Sequence, residues 1–456
     1  MLNLLAVKIV SYAVGFLSTI FILSKLPVDD FGLYSYILIL LPFLNQICSL
    51  STNEYLTKNI ICRDSTKQIA HTIYSTSLIP LICMFLLCVG ILILDSSISY
   101  AVILFVFSQY LYEMIQRITI ALGDSNYIAL NDFLFTSSWF FISLLIYTYK
   151  GEISLSEIFL ARASVCIIAV IIFSIKNLKI LKEFCFSTKI TMEAYKFGLS
   201  VLLASISFTV IRASERFLLE HYSTLSDVAH YSYITIPSNL FYSLFVATIY
   251  VSNIRYLRLD SENKLKNVVN TLCRLNSIFI LPVLVFSGFM FNIFDSFAGK
   301  GKFNFEYYIP ILAGVSTYFL IQSTLLKQKH IFDSNGKYIS KLYTFVLGLI
   351  LLSSYFIYPQ YGFEGAFFTN LIFVIIVYFF LCVKDLWLRF IYDILLLTLV
   401  LSVSFPIYYI FNDCLNIYLN GFVYINLYFL WLLVTYKLNV WTYNDITLVK
   451  NKFGYG

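Results

Sequence analysis

Apolar residues come in runs of about 20 along this chain, the length that an α-helix needs to cross the hydrocarbon core of a bilayer. Short polar segments separate the runs, and the longest of them are 52–71, 177–196 and 253–272. The pattern predicts an all-α integral membrane protein with about fourteen transmembrane helices. The predicted limits of these spans are 4–24, 33–51, 72–94, 99–122, 128–149, 155–176, 197–219, 229–252, 273–295, 306–327, 339–358, 364–383, 391–411 and 418–436.

The composition agrees with a chain that lies almost entirely within the membrane. Hydrophobic residues make up 60% of it and charged residues 12%, and the mean hydropathy is +0.83, whereas soluble domains average about 25% charged residues. The sequence has no Walker A, H-E-x-x-H or G-x-S-x-G pattern, and its nine cysteines include no C-x-x-C pair. We therefore expect no enzymatic activity, no metal or other cofactor, and no nucleic-acid partner.

The distribution of Lys and Arg predicts the orientation. An even number of spans places both termini on one side, and 22 of the 31 Lys and Arg residues fall on that side. Basic residues concentrate in cytoplasmic loops. Both termini are therefore predicted to be cytoplasmic.

The chain repeats itself at a spacing of 197 residues. LPVDDFGLYSYI (26–37) leads into the second span and STLSDVAHYSYI (223–234) into the eighth, and GDSNY and FDSNGKY follow the fourth and tenth. Two six-helix copies are predicted, since both echoes fall at equivalent places. The predicted domains are 1–176, a cytoplasmic linker 177–196, 197–385, and two additional helices with a short tail in 386–456. Parallel repeats of this type occur in transporters, with the binding site near the midplane.

The seventh predicted span carries charge at membrane depth. Arg212 and Arg216 continue a polar stripe from Ser205 and Thr209, and Glu215 lies beside it. A central Arg costs roughly 2.5–3.5 kcal/mol on the insertion scale, and each Leu, Ile or Phe returns only roughly 0.3–0.6 kcal/mol. We interpret the stripe as facing a hydrated lumen. Arg216 lies well past the middle of the span, so the alternative for this residue is that its side chain snorkels to the outer interface.

Three further spans carry cations. Arg117 follows Glu113 by one helical turn in the fourth span, Lys8 lies in the first and Arg162 in the sixth. The alternatives are an interhelical clamp for the Glu113–Arg117 pair and orientation anchors for Lys8 and Arg162. Because the five cations outnumber the acids, the favoured hypothesis is a cationic lumen for an anionic substrate.

These motifs resemble a known family. KIVSYAVGFLSTIFILSKLPVDDFGLYSY (8–36), with its basic residue, Gly-Phe and Phe-Gly-x-Tyr, is similar to the opening of Wzx-type O-antigen flippases. Those belong to the polysaccharide transporter family of the multidrug/oligosaccharidyl-lipid/polysaccharide (MOP) flippase superfamily. Glu215–Arg216 and Tyr231 match the family's Asp-Arg and Tyr, with Glu in place of Asp, and YGFEGAFF (361–368) resembles its approach to span 12. Ala229–His230 replaces the usual Gly-x before Tyr231.

The resemblance implies a specific transport activity. Such proteins move an undecaprenyl-diphosphate-linked oligosaccharide from the cytoplasmic to the outer leaflet through a V-shaped central cavity between two six-helix lobes. It also implies coupling to an H⁺ or Na⁺ gradient, for which Glu113 and Glu215 are the candidates. A polysaccharide polymerase and a chain-length regulator are the expected protein partners.

Three other functions compete with this one. An O-antigen polymerase acts on the same lipid-linked sugars but needs long basic external loops, and here the external loops are short and nearly free of Lys and Arg. A multidrug exporter would favour an acidic lumen. A peptidoglycan lipid-precursor flippase shares the substrate chemistry and stays open as an alternative.

Overall fold

Helices account for all the regular structure in the part of the chain that the computed structural model describes. The described residues are 2–61, 65–94, 99–122, 125–256, 262–299, 302–303, 305–332, 336–383, 387–412 and 417–437. Side chains are described for most of them, with the longest gaps at 243–256, 262–268 and 407–412.

The chain divides into two compact units, Met1–Ala213 and Ser214–Gly456. The first unit holds nine helices and most of a tenth. Their bounds are α1 Leu2–Lys25, α2 Val28–Ser49, α3 Thr52–Ile61, α4 Thr66–Leu94, α5 Tyr100–Leu122, α6 Ser125–Phe133, α7 Trp139–Lys150, α8 Leu155–Lys176, α9 Leu178–Lys182 and α10 Thr188–Tyr222, with a π-helical turn Leu134–Ser138 joining α6 to α7.

The second unit begins inside α10. Its further helices are α11 Leu225–Tyr256, α12 Glu262–Phe289, α13 Phe291–Ala298, α14 Ile309–Phe332, α15 Gly336–Val383, α16 Trp387–Asn412 and α17 Ile417–Lys437. The domain limits predicted from the sequence, with a linker at 177–196, remain a prediction.

Every predicted span overlaps a helix, and the differences have local causes. The eleventh and twelfth spans are continuous in α15, which kinks at Gly362 (φ 51°, ψ −136°), a conformation that favours glycine. The short α3 was not predicted because it lies in the polar segment 52–71. It is amphipathic, and it buries Leu56 and Ile60 against apolar residues of α4, α5 and α8.

Seven of the described helices are long and apolar enough to cross a membrane. They include most of α4, all of α8 and the 46 residues of α15 from Tyr338 to Val383. The protein is therefore a multi-pass membrane protein. The exact number of crossings remains a prediction.

Helix ends reproduce the spacing of the sequence repeat. The first helix ends at Lys25 and α10 ends at Tyr222, while α2 begins at Val28 and α11 at Leu225. Both pairs are separated by 197 residues, the offset that aligns the two Tyr-Ser-Tyr-Ile runs. Tyr34 and Tyr231, which begin those runs, are buried in their own units.

Candidate functional site

Arg162 lies inside the first unit rather than on its surface. It sits about 10 Å along α8 from the start of that helix, and only 9% of the residue is exposed. Its Nη1 donates a hydrogen bond of 2.7 Å to the hydroxyl of Tyr34 on α2. Its guanidinium carbon lies 4.8 Å from the ring centre of Trp139 and 5.5 Å from that of Phe105. Aromatic faces stabilise a desolvated cation, so the cation is held where water is scarce.

The π-helical turn brings aromatic residues towards this cation. An extra residue per turn at Leu134–Ser138 changes the helical register between α6 and α7. Phe135 of this turn stacks on Tyr112 of α5 at 4.4 Å and also lies 5.6 Å from the guanidinium carbon of Arg162. Ser137 donates a hydrogen bond to the carbonyl of Ser11 on α1. Such turns are frequent at functional sites.

Glu113 is the centre of an amide network in the same unit. Its carboxylate accepts hydrogen bonds from Asn45 of α2 and, at 3.2 Å, from Gln109 of its own helix. Asn45 in turn accepts from Asn53 of α3 at 3.2 Å. Both described hydrogen bonds of Glu113 come from amides rather than from Arg117, which is half-buried one turn further along α5. A carboxylate surrounded by amides is an arrangement that can exchange a proton or bind a small cation.

Arg216 lies at the start of the second unit, on α10. Its Nη2 donates to the hydroxyl of Thr235 at 2.9 Å, and its guanidinium carbon lies 5.7 Å from the ring centre of Tyr231. Tyr231 stacks on Phe367 at 4.3 Å and accepts a hydrogen bond of 2.8 Å from Asn370. The structure thus brings together Arg216 and Tyr231, which the family resemblance had only named. Arg216 itself is half-buried.

Glu215 is buried next to Arg216, with 2% of it exposed. It lies within electrostatic range of the hydroxyls of Tyr231 and Tyr358. The backbone of α1 carries Lys8 and that of α10 carries Arg212, but both side chains fall outside the described part of the structure. Substrate binding remains a prediction for all five cations: Lys8, Arg117, Arg162, Arg212 and Arg216.

A buried ion pair that the sequence did not single out lies in the second unit. Asp393 of α16 is completely buried and lies 2.8 Å from the guanidinium of Arg389, one turn earlier in the same helix. Asp393 also accepts hydrogen bonds from Ser277 of α12, at 2.7 Å, and from Tyr378 of α15. Tyr318 of α14 contacts Ser277 at 2.7 Å. This Asp393 cluster joins α16 to three other helices.

The spacing of the pair was visible in the sequence, but its burial was not. Arg389 was assigned to a cytoplasmic loop and Asp393 to the edge of the thirteenth span, where a polar residue is unremarkable. The available signal was the spacing of the two residues. A basic and an acidic residue four positions apart on a helix can form an ion pair.

The fold of this chain is identified by comparison with solved structures, because no family model and no curated protein matches its sequence. A solved structure of the lipid II flippase MurJ, in an inward closed conformation, superposes with a TM-score of 0.71 at 15% identity, covering 96% of this chain and 99% of MurJ. This chain therefore shares its fold with that flippase structure.

Two further structures support that assignment. An outward-facing multidrug resistance MATE family transporter of the MOP superfamily has a TM-score of 0.55 at 13% identity, covering 88% of this chain and 94% of its own. A MOP superfamily transporter from Pyrococcus furiosus, described as having a binding pocket of reversed polarity, has a TM-score of 0.53 at 14% identity and covers 88% and 94%. At these identities the likeness concerns the fold alone.

Proposed function

We propose that this protein is a flippase for a surface-polysaccharide precursor. It moves undecaprenyl-diphosphate-linked O-antigen or related repeat units from the cytoplasmic to the periplasmic leaflet of the bacterial inner membrane, by alternating access. Both termini are cytoplasmic in this proposal, and a polysaccharide polymerase and a chain-length regulator act after it.

The observation that carries the proposal is the environment of Arg216. A half-buried guanidinium in a membrane helix rests on Tyr231 and Thr235, an aromatic and a hydroxyl neighbour. Guanidinium groups bind phosphate oxygens through charge-assisted hydrogen bonds. A diphosphate headgroup crosses hydrocarbon slowly because its charge and sugar hydroxyls must lose their water. A polar route with such a cation removes part of that cost.

Deletion of the gene tests the proposal directly. Cells without the flippase are expected to accumulate lipid-linked repeat units on the cytoplasmic side, which a membrane-impermeant glycosidase added to spheroplasts cannot digest. Loss of a polymerase would instead leave single units displayed outside. Accessible single units, or unchanged surface polysaccharide, would reject the flippase proposal.

The likeness to MurJ favours a second candidate, a flippase of the peptidoglycan precursor. MurJ is a lipid II flippase, and its structure covers nearly the whole chain. This candidate predicts that expression of the protein rescues cells depleted of their own lipid II flippase. The first candidate predicts no rescue, together with restored surface polysaccharide in the deletion strain. The MATE likeness is to a multidrug transporter, and unchanged drug sensitivity in the deletion strain would argue against that function.

Ion coupling is proposed for Glu113, with Glu215 as the other candidate. Glu113→Gln keeps the shape of the side chain and the possibility of hydrogen bonds to Asn45 and Gln109 but removes the charge. We expect export to fall at least about tenfold at normal protein levels, because an amide cannot exchange a proton and binds Na⁺ more weakly than a carboxylate does. The residual export is expected to be insensitive to collapse of the H⁺ or Na⁺ gradient. Glu152→Gln, the same substitution at an exposed position of the first unit, serves as the control and is expected to export normally.

A result with wild-type rates and wild-type gradient dependence in Glu113→Gln would exclude Glu113 from coupling. The same measurement on Glu215→Gln then decides whether the second unit carries that role.

A further inference from the structure

Both units contain the same aromatic contact at equivalent positions of the repeat. Tyr34 packs against Phe159 of α8, with ring centres 5.8 Å apart, and Tyr231 packs against Phe367 of α15 at 4.3 Å. The two tyrosines are 197 residues apart and the two phenylalanines 208. In each unit the contact joins the second predicted span of the repeat to the sixth. The pairs are therefore copies of one interhelical contact.

The polar partner of the tyrosine differs between the copies. Three residues after the phenylalanine, the first unit has Arg162 and the second has Asn370. Each donates a hydrogen bond to the hydroxyl of its tyrosine, at 2.7 Å from Arg162 to Tyr34 and 2.8 Å from Asn370 to Tyr231. Both copies therefore have the hydrogen bond at this position, and in the first unit its donor is charged whereas in the second it is neutral.

The second unit nevertheless has a guanidinium beside its tyrosine, supplied by another helix. Arg216 of α10 lies 5.7 Å from the ring centre of Tyr231, and Arg162 lies 5.6 Å from that of Tyr34. At the spacing of 197, the residue of the first unit that corresponds to Arg216 is Thr19. The hydroxyl of Thr235, which accepts from Arg216, corresponds to the apolar Leu38. The charge and its acceptor therefore occur together in the second unit.

We propose that both copies of the repeat contain one shared element, a guanidinium beside the repeated tyrosine. In the first unit the guanidinium comes from the sixth span of the repeat. In the second unit it comes from the first span, and there it binds ligand. Tyr231, Asn370 and Thr235 are its positioning residues. In the first unit the cation is enclosed by aromatic rings and fastens α8 to α2. In the second unit, neutral Asn370 joins α15 to α11 through its hydrogen bond to Tyr231, and Arg216 binds phosphate oxygens of the lipid-linked substrate. This assignment rests on the proposed flippase function.

The exposure of the two cations supports this division of roles. Arg162 is nine-tenths buried within its unit, so a ligand reaches it only if the aromatic residues around it move. Arg216 is half-buried, and its Nη2 bond to Thr235 and its contact with the Tyr231 ring fix its orientation. An ordered guanidinium loses less conformational freedom when it binds phosphate than a mobile one does.

Exchanging residues between the copies tests the proposal. The variants are Arg216→Thr, which installs the residue of the first unit, and the double variant Arg216→Thr/Asn370→Arg, which returns the guanidinium to the sixth span of the repeat. Purified full-length protein in detergent is titrated with undecaprenyl diphosphate as the probe, and export is measured in cells at matched membrane levels. Lys179→Thr, on exposed α9, is the matched loss of one positive charge.

We expect Arg216→Thr to weaken probe binding at least about tenfold, the loss typical of one charge-assisted phosphate contact. The double variant is expected to recover neither binding nor export, because a guanidinium at position 370, like Arg162, would hold two helices together rather than face the ligand. Lys179→Thr is expected to change neither measurement. A merely structural role for Arg216 would be seen instead as a lower melting temperature of Arg216→Thr with probe binding unchanged. Tyr231→Phe, which keeps the ring but removes the hydroxyl that Asn370 binds, is expected to weaken probe binding and to lower the melting temperature modestly, because Asn370 loses a buried acceptor.

Wild-type binding by Arg216→Thr would overturn the proposal, as would a stable double variant in which binding and export recover. In those cases the gene-deletion phenotype still stands, and only the role of the tyrosine–guanidinium element is rejected. Failure of the wild-type protein to bind undecaprenyl diphosphate, together with an ordinary deletion phenotype, would reject the proposed function and this inference with it.

Discussion

Asp393→Ala is expected to destabilise the second unit more than any other single change proposed for it. The substitution leaves the guanidinium of Arg389 buried without its carboxylate and removes the acceptor of Ser277 and Tyr378. Breaking a buried ion pair from one side costs about 3–5 kcal/mol. We expect a marked fall in the melting temperature of the purified protein and in its abundance in the membrane, because α16 loses its polar attachment to α12 and α15.

Removing both charges provides the control. The double variant Asp393→Leu/Arg389→Met is expected to recover most of the lost stability, since an apolar replacement of a whole buried pair is often neutral or stabilising. Lys150→Ala breaks the exposed Lys150–Glu157 pair and is expected to change the melting temperature little. If Asp393→Ala melted with the wild type, the Asp393 cluster would not be what attaches α16.

Arg212→Ala is expected to abolish export while leaving the amount of protein in the membrane unchanged. Arg212 lies on α10 one helical turn before Arg216 and one after Thr209, on the polar stripe of that helix. A cation at this depth costs roughly 2.5–3.5 kcal/mol on insertion, so its removal should not impair folding. In our proposal it binds a phosphate group, and a neutral residue cannot replace that charge. Export is measured as surface polysaccharide in the deletion strain carrying the variant.

Arg212→Lys separates charge from geometry. Lysine keeps the cation but not the planar fork that binds two phosphate oxygens at once, so partial export is expected. Lys179→Ala, which removes a positive charge from exposed α9, should export normally. Full activity in Arg212→Ala would remove this residue from the transport route and leave Arg216 as the principal cation of α10.

Much of the helical framework could be predicted because the membrane constrains it so strongly. A backbone in hydrocarbon must satisfy its own hydrogen bonds, so an apolar run of the correct length becomes a helix. The sequence repeat also placed the ends of α1 and α10 and the starts of α2 and α11 in matching positions. The π-helical turn before Trp139 and the continuity of α15 through Gly362 were not predicted, because hydropathy carries no information on backbone register.

The candidate site was only partly accessible from the sequence. The stripe on α10 was identified from its spacing, and the contact between Arg216 and Tyr231 agrees with their joint place in the family motif. Arg162 was predicted as a lumen cation, and that role stays a prediction; its contacts with Tyr34, Phe105 and Trp139 were not predicted. Its surroundings come from three other helices, which are distant in sequence.

The sequence by itself determined that this is a helical membrane protein with an internal repeat, and it predicts two related halves and a few costly cations at membrane depth. Those properties follow from local hydropathy and from the spacing of residues along one chain. Only the tertiary structure decided which partners the charges have. Asp393 pairs with Arg389 and accepts hydrogen bonds from α12 and α15, and Glu113 accepts hydrogen bonds from amides of α2 and α5. The free energy of a buried charge depends on the partners that surround it, and packing brings those partners from distant parts of the chain.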